Sequence, residues 1–339
     1  MAIRALSLFD LTRIYGYPYA KDNGASWGAC IVQDVRQIDS KPARNTVAEC
    51  YEAVIKDLND AIPQLSPEFN FGKMNRWGAM LLLSRAYLYK GDNTNALKMA
   101  EEAIGGAEQD GYRLWTNDEY VEAWAKDFTS EVFFEIVNLI TDSPGKESIG
   151  YLCSSSGYKD MILTSSFVAF LQQDKDDVRY QMFKISSKRA YIQKYPGENG
   201  DGGPADANIP LFRISELYLN AAEAAVKLEN NDKAVFYLDQ IVKRGNPANT
   251  VEGTAVTLEQ VLNERRKEFF GEGHRMFDVL RNGGTIARQN VSVSEVSSTK
   301  HLSLQDYAKE FDWNMYKVVL PIPKAEMDAN SNMEQNPDY

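Results

Sequence analysis

Aromatic side chains set among small polar residues are the first groups in this sequence that could bind a ligand. Tyr151 and Tyr158 lie in the stretch 138–163, NLITDSPGKESIGYLCSSSGYKDMIL, and Tyr191 and Tyr195 precede the segment GENGDGGPAD. Tyrosine beside Ser and Gly is typical of an adaptable contact surface, and a loop of this length in a compact protein is usually functional or disordered. We therefore predict that these tyrosines contact a ligand. The alternative is that this loop has a structural role and covers the core, with its tyrosine side chains buried.

Trp27 is a fifth candidate contact, and it stands in the Gly- and Ser-containing segment KDNGASWG. Tryptophan is usually largely buried, which favours a plug that pins the loop to the core. An exposed indole would instead serve as a platform on which a ligand stacks. The sequence leaves both interpretations open.

The residue types that usually perform catalysis form no known arrangement here. The two histidines, His274 and His301, lie in different contexts, and the chain contains no HExxH or phosphate-cradling motif. An all-helical glycoside hydrolase stays open as an alternative, because any two of the 48 acidic residues could converge. We predict that the protein is not an enzyme and has no cofactor.

Metal sites and nucleic-acid binding are also disfavoured. Cys30, Cys50 and Cys153 are scattered, with no CxxC pair or Cys/His cluster for zinc. The acidic run DKDDVRY lacks the twelve-residue spacing, central Gly and final Glu of a calcium loop. A net charge of −11 and a pI of about 4.9 lack the basic footprint that nucleic acid or an anionic membrane requires. We therefore predict no metal ion and no nucleic-acid partner.

Two stretches that must position these residues have the three- and four-residue apolar spacing of helical hairpins. RWGAMLLLSRAYLYKGDNTNALKMAEEAI predicts one pair of helices, at about 75–90 and 96–104, and Leu211–Arg244 predicts a second pair with small residues at the seam. Each is similar to a tetratricopeptide-like unit, which needs neighbours to bury its outer face. Helices at 2–15 and about 47–65 would serve as such neighbours.

We therefore predict a mostly α fold of tetratricopeptide-like helical pairs with large irregular loops and a few short strands. The helical frame takes in about 2–104 and 211–281. A loop-rich ligand side takes in about 105–210 and 282–339, and the whole of 1–339 forms a single domain.

Little of the loop-rich part is predicted to be regular. The β-branched and aromatic run at 131–137 reads as a strand, and Val318–Ile322 reads as strand-like. A short helix is expected at 165–172. The stretches 181–207 and 282–306, like the tyrosine-bearing stretch described above, are expected to be irregular.

The segment TLEQVLNERRKEFFGEGHRMFDVLRNGG combines dense charge with three phenylalanines. Thr257, followed three residues later by Gln260, predicts a capping box at a helix start. Charges that share a face with phenylalanine rings persist only when they are paired. We predict an arginine–carboxylate network that holds this segment to the second hairpin and includes Arg265, Arg275, Asp278 and Arg281.

Three motifs in order resemble the SusD/RagB-type nutrient-binding proteins: RISELYLNAAEA at 213–224, ERRKEFFGEGHRMFDVLR at 264–281, and the closing VVLPIPKAEMDANSNMEQNPDY. The opening RALSLFDLTRIYGYPY is similar to that family's first marked motif. The resemblance implies a non-catalytic protein on the surface of the cell outer membrane. Such a protein captures an oligosaccharide or a peptide for import through a TonB-dependent, SusC-like transporter. A helical-repeat scaffold for protein partners is the alternative.

The resemblance carries two further expectations. Family members usually begin with a lipoprotein signal, so a chain without a signal peptide or lipid-anchor cysteine is expected to be an N-terminally shortened member. The family also has a D-x-R motif at the position of Asp177 and Arg179, which implies that these two side chains pair.

Overall fold

The structure is a computed structural model that describes residues 1–35, 39–69, 72–139, 141–155, 157–158, 161–197, 205–289, 291–297 and 305–339. The helices are α1 Ala2–Tyr15, α2 Tyr19–Asp22, α3 Val47–Ala61, α4 Arg76–Lys90, α5 Asn93–Gln109, α6 Tyr120–Ala123, α7 Ile149–Cys153, α8 Ser165–Leu171, α9 Ile214–Lys227, α10 Asn231–Gly245, α11 Leu258–Glu268, α12 Arg275–Arg281, α13 Asp306–Lys309 and α14 Lys324–Ala329. The strands are β1 Val132–Ile136, β2 Ile162–Leu163, β3 Phe183–Ser186, β4 Arg189–Ile192, β5 Ile209–Arg213, β6 Ile286–Ala287 and β7 Glu310–Phe311.

The long helices pack in a row, in the order α1, α3, α4, α5, α9 and α10. The second hairpin, α9–α10, therefore lies directly beside the first, α4–α5, although the loop-rich part separates them in the sequence. Alanines allow the close approach of α5 and α9, and these fully buried side chains are Ala96, Ala100, Ala103, Ala107, Ala221, Ala222, Ala224 and Ala225. The predicted mostly α fold of helical pairs is confirmed.

Helix α5 does not end before Gly105 and Gly106, where the sequence predicts its end, but continues to Gln109. A Cβ atom at Gly106 would overlap the ring of Trp77, whose indole nitrogen donates to Asp110 at 3.1 Å. The glycine therefore marks a close contact between two helices and not a helix end.

The strands form three small antiparallel sheets. Regular elements lie in all three stretches predicted to be irregular: α7 and β2 in 138–163, β3 and β4 in 181–207, and β6 in 282–306. The predicted strand at Val318–Ile322 is also corrected. The sheets are β1–β5, the three-stranded β2–β4–β3, and β6–β7. The stretch 181–207 is therefore not irregular throughout, because β3 and β4 form a hairpin whose turn residues Ser187 and Lys188 adopt positive φ angles of 49° and 58°. Val318–Ile322 forms no strand within the described residues; a 3₁₀ turn at Tyr316–Val318 precedes it. The part of GENGDGGPAD at 198–204, and His301, lie outside the described residues.

A cluster of buried charges joins the helical frame to the strands, with Arg213 at its centre. The Arg213 guanidinium donates to Glu131 at 2.5 Å, to Glu268 at 2.8 Å and to Glu272 at 2.9 Å. Glu268 also accepts from Arg244 at 2.5 Å. Further members of this cluster are Asp177, Arg179, Lys194 and Glu264. The implied pair of Asp177 and Arg179 is present, at 2.5 and 2.7 Å.

A second group of ion pairs ties α11 and α12 to the second hairpin, as the sequence predicts. Arg265 donates to Asp278 at 2.9 Å and to Asn220 on α9 at 2.8 Å. Arg281 donates to Asp278 at 2.8 Å and to Glu223 on α9 at 2.6 Å. The network prediction is therefore confirmed for Arg265, Asp278 and Arg281.

Arg275 is the exception to this prediction. It is exposed and forms no ion pair with any of the described residues. The reason is that Asp278, one turn further along α12, already uses one carboxylate oxygen for Arg265 and the other for Arg281.

None of the helices in the described part of the chain combines the length and apolar composition needed to cross a membrane.

We expect Glu268→Gln to lower the free energy of unfolding by about 3–5 kcal/mol, because it leaves buried guanidinium groups without their carboxylate. Asp60→Asn is the matched control: Asp60 pairs with Lys56 at 2.6 Å, but both side chains are solvated. It should cost less than about 1 kcal/mol. Urea denaturation of both variants measures the difference. Equal losses would show that burial does not govern the energy of these pairs.

Candidate ligand-binding surface

Tyr151 and Tyr158 lie close together in a loop that its own backbone closes. Ser148 caps α7 by accepting from the Tyr151 amide at 3.3 Å, and the Tyr158 amide donates to the Tyr151 carbonyl at 3.2 Å. A Cβ atom at Gly157 would overlap that carbonyl, so this turn requires glycine. Tyr158 is 53% exposed and Tyr151 is half-buried. We call the segment 148–161 the tyrosine loop.

The tyrosine loop is attached to the protein core through Cys153. Its side chain is buried in an apolar cluster with Trp115, Phe167 and Tyr195. Burial raises the pKa of the Cys153 thiol to about 12, so the thiol is protonated at neutral pH and unreactive. Cys153 therefore acts as a small apolar side chain, as a scattered cysteine is expected to do.

The structure corrects the prediction that Tyr191 and Tyr195 contact a ligand, because their side chains are only 2% and 3% exposed. Tyr191 lies on β4, the central strand of its sheet, opposite Ile162 and Lys184. The Tyr195 hydroxyl donates to the carbonyl of Gly271 at 2.9 Å. Both side chains contribute to packing and leave little surface for a ligand.

Trp27 lies apart from the tyrosine loop. Its backbone pairs with Thr46 at the start of α3, and its carbonyl accepts from the buried Arg44 at 3.1 Å. The indole is 38% exposed. No contact joins it to Tyr151 or Tyr158 among the residues that the structure describes, so a role for Trp27 in binding stays a prediction.

The structure has an open pocket of ≈ 600 Å³ that sequence reasoning missed. The two-residue strand β2, Ile162–Leu163, separates Met161 at the end of the tyrosine loop from Thr164 at the pocket wall, a path of about 10 Å along the chain. The lining residues are Thr164, Ser166, Ala169, Phe170, Gln173, Arg266, Arg275, Thr285, Ile286, Ala287, Arg288, Gln289 and Val291. One residue in the sequence could have indicated this pocket. Arg266 follows the network residue Arg265, so its side chain points about 100° away from that of Arg265 around the helix.

Glu135 is a buried carboxyl that an enzymatic interpretation has to consider. Burial raises its pKa, although it accepts hydrogen bonds from the Phe128 amide at 2.8 Å and from Asn208 at 3.1 Å. A raised carboxyl pKa is a feature of general acids. However, each of the two spaces beside it measures only ≈ 10 Å³, roughly enough for one water molecule. As the described residues line them, neither of these two spaces admits a sugar ring.

Two family sequence models match parts of this chain. A sequence model described as the SusD family matches residues 164–339, which is more than half of the chain. A second, described as "Starch-binding associating with outer membrane", matches residues 1–88. The chain belongs to the SusD family. Because the two matches lie at opposite ends of the chain, the tyrosine loop falls between them.

Solved structures of SusD-type proteins share the fold. A candidate sugar-binding protein from Bacteroides vulgatus ATCC 8482 is 58% identical, with a TM-score of 0.96 over 100% of this chain and 76% of that chain. A SusD superfamily protein from Bacteroides thetaiotaomicron VPI-5482 is 36% identical, with a TM-score of 0.87 over 99% of this chain and 76% of that one.

Curated SusD proteins are more distant. The starch-binding protein SusD of Bacteroides thetaiotaomicron is 30% identical over 154 residues, which are 44% of this chain and 26% of that protein. A SusD-like protein of Bacteroides ovatus is 23% identical over 327 residues, or 82% of this chain and 57% of that protein. The chain thus spans less than two thirds of the length of these two relatives.

Substitution of a buried tyrosine and of an exposed tyrosine should differ in its effect on the free energy of unfolding. We expect Tyr191→Ala to lower the free energy of unfolding by about 3–5 kcal/mol, as removal of a buried aromatic ring does. Tyr158→Ala removes the same atoms from an exposed position and should change it by about 0.5 kcal/mol or less. Thermal or urea denaturation compares the two. A large loss in the Tyr158 variant would mean that this ring is part of the core.

Proposed function

We propose that this SusD-family chain binds an oligosaccharide without breaking any bond in it. The observation that carries the proposal is the tyrosine loop, where Tyr158 is open to solvent and its backbone is fixed against Tyr151. Aromatic faces stack on the apolar faces of sugar rings, and the phenolic hydroxyls can hydrogen-bond to sugar hydroxyls.

The relatives support carbohydrate as the ligand class. One curated relative is named a starch-binding protein, and the 58%-identical structure is described as a candidate sugar-binding protein. A non-catalytic role is consistent with Glu135, the buried carboxyl of raised pKa, having no space beside it for a substrate. Because individual stacking contacts are small, we expect affinities on the order of micromolar to millimolar.

Calorimetry against oligosaccharides and peptides tests the proposal. We expect heat of binding with at least one oligosaccharide, no cleavage products, and a loss of affinity of about tenfold in Tyr158→Ala, as removal of one stacking contact costs roughly 1–1.5 kcal/mol. Phe236→Ala is the matched control, because Phe236 is an aromatic residue of the helical frame that is 58% exposed. It should leave the affinity unchanged.

Three results would contradict this proposal. Binding of peptides alone would change the ligand class. Release of shorter sugars would identify an enzyme. Equal losses in the Tyr158 and Phe236 variants would remove the tyrosine loop from the site.

The family resemblance extends the proposal to the cell surface. We infer that the chain acts at the outer membrane and passes its ligand to a SusC-like, TonB-dependent transporter. The family description of association with the outer membrane supports this inference. Purification of the tagged protein from outer-membrane extracts should recover a transporter barrel. Recovery of the protein alone, under conditions that preserve membrane complexes, would favour a free-standing binding protein.

A further inference from the structure

Three arginines line the open pocket that begins at Thr164, and none of the described residues that line it is acidic. These arginines are Arg266, Arg275 and Arg288, and none forms an ion pair with a described residue. Arginines without a carboxylate partner are unusual in this chain, because acidic residues outnumber basic ones and the net charge is −11. The fully buried arginines nearby, such as Arg179 and Arg265, each have at least one carboxylate partner.

Arg266 is held in place by aromatic rings and not by an anion. Its guanidinium lies over the rings of Phe167 and Phe170, at 5.1 and 4.9 Å from their centroids. Burial, followed by the nearby charge of Arg275, lowers the pKa of Arg266 to about 10. It stays protonated at neutral pH, but part of its hydration is lost and no carboxylate replaces it. A bound anion would compensate for that loss.

Arg288 approaches the same pocket from β6. Its Nη1 atom donates to the carbonyl of Ala308 at 2.8 Å, and its guanidinium lies 5.2 Å from the ring centroid of Phe311. The Arg288 amide also donates to the Lys309 carbonyl at 2.7 Å. These contacts fix the backbone and one face of the side chain, while its remaining nitrogen atoms have no carboxylate partner among the described residues.

The other pocket-lining groups suit a sugar. Thr164, Ser166, Gln173, Thr285 and Gln289 provide hydroxyl and amide groups that can hydrogen-bond to sugar hydroxyls. A volume of ≈ 600 Å³ falls within the usual range for pockets that hold small ligands. A planar guanidinium pairs with two oxygens of a carboxylate or a sulfate at once, and such charge-assisted bonds are stronger than neutral ones.

We propose that this pocket binds an anionic substituent of the oligosaccharide, either a uronic acid carboxylate or a sulfate ester. The inference rests on the proposed function and narrows its ligand class from oligosaccharides in general to acidic ones. Arg266, Arg275 and Arg288 pair with the anion, and the tyrosine loop contacts another unit of the same oligosaccharide.

Matched glycan pairs test this inference in calorimetry on the full chain. One arm compares an oligogalacturonate with its methyl ester, and the other compares a sulfated oligosaccharide with its desulfated form. We expect the acidic member of at least one pair to bind about tenfold more tightly, and the arm that responds identifies carboxylate or sulfate. Its affinity should fall as salt rises, because the interaction is between charges near the surface.

Arginine substitutions assign the preference to the pocket. Arg266→Gln and Arg275→Gln should each weaken binding of the acidic glycan by about tenfold, as loss of a charge-assisted hydrogen bond does, and leave the neutral member almost unaffected. Because Arg275 is exposed, its variant should fold even where the Arg266 variant does not. Arg113→Gln is the control, since Arg113 is an exposed arginine paired with Glu119 outside the pocket. It should change neither affinity.

The outcomes separate this inference from the proposed function. Equal binding of neutral and acidic members, with the Tyr158 effect intact, overturns the acidic preference and leaves carbohydrate binding in place. Acidic preference that survives in both arginine variants also overturns it, because the anion must then bind elsewhere. Absence of binding to any glycan overturns the proposed function itself.

Discussion

Arg213 is the side chain on which the arrangement of the helical frame and the strands depends. It ends β5 at the start of α9, and the next amide, that of Ile214, donates to the carbonyl of Glu131 at 2.8 Å. Its guanidinium reaches Glu268 at the end of α11 and Glu272 just beyond it. Removing these charges from water costs several kcal/mol per ion, and the cost is offset only while every partner is in place. If the helical frame moved relative to the strands, a charge would lose its partner. The cost of that loss favours a single arrangement of the frame and the strands.

The same cluster explains the burial of Tyr195, which composition suggested to be a surface contact. Lys194, the residue before it, donates to Glu272 and to the carbonyl of Glu268, both at 2.6 Å, and burial lowers its pKa to about 8. With Lys194 fixed among the charges, Tyr195 packs against Trp124 and donates to Gly271. The ring of Tyr158, by contrast, is 53% exposed.

Periodicity and capping chemistry predicted the helical frame well, because they act over a few neighbouring residues. Thr257 and Gln260 form the predicted capping box, and α10 ends at Gly245 as expected. The sequence was less informative where packing against a residue far away in the chain determines the local structure or the burial of a side chain. Gly106 lies inside a helix because Trp77 packs on it, and Tyr191 is buried because β2 and β3 flank its strand. Local composition made Tyr191 and Tyr158 look alike, and only the sheet distinguishes them.

The charge distribution follows from the same distinction between paired and unpaired side chains. Within the buried network each arginine has at least one carboxylate in contact, so its field is largely cancelled at a distance. Arg266 follows Arg265 on α11 yet faces Phe167 and Phe170, and its charge is not cancelled locally. At physiological ionic strength, charges on the surface are screened over about 8 Å. The overall negative charge of the chain therefore has little influence inside the pocket, where three guanidinium groups set the local potential at contact distance.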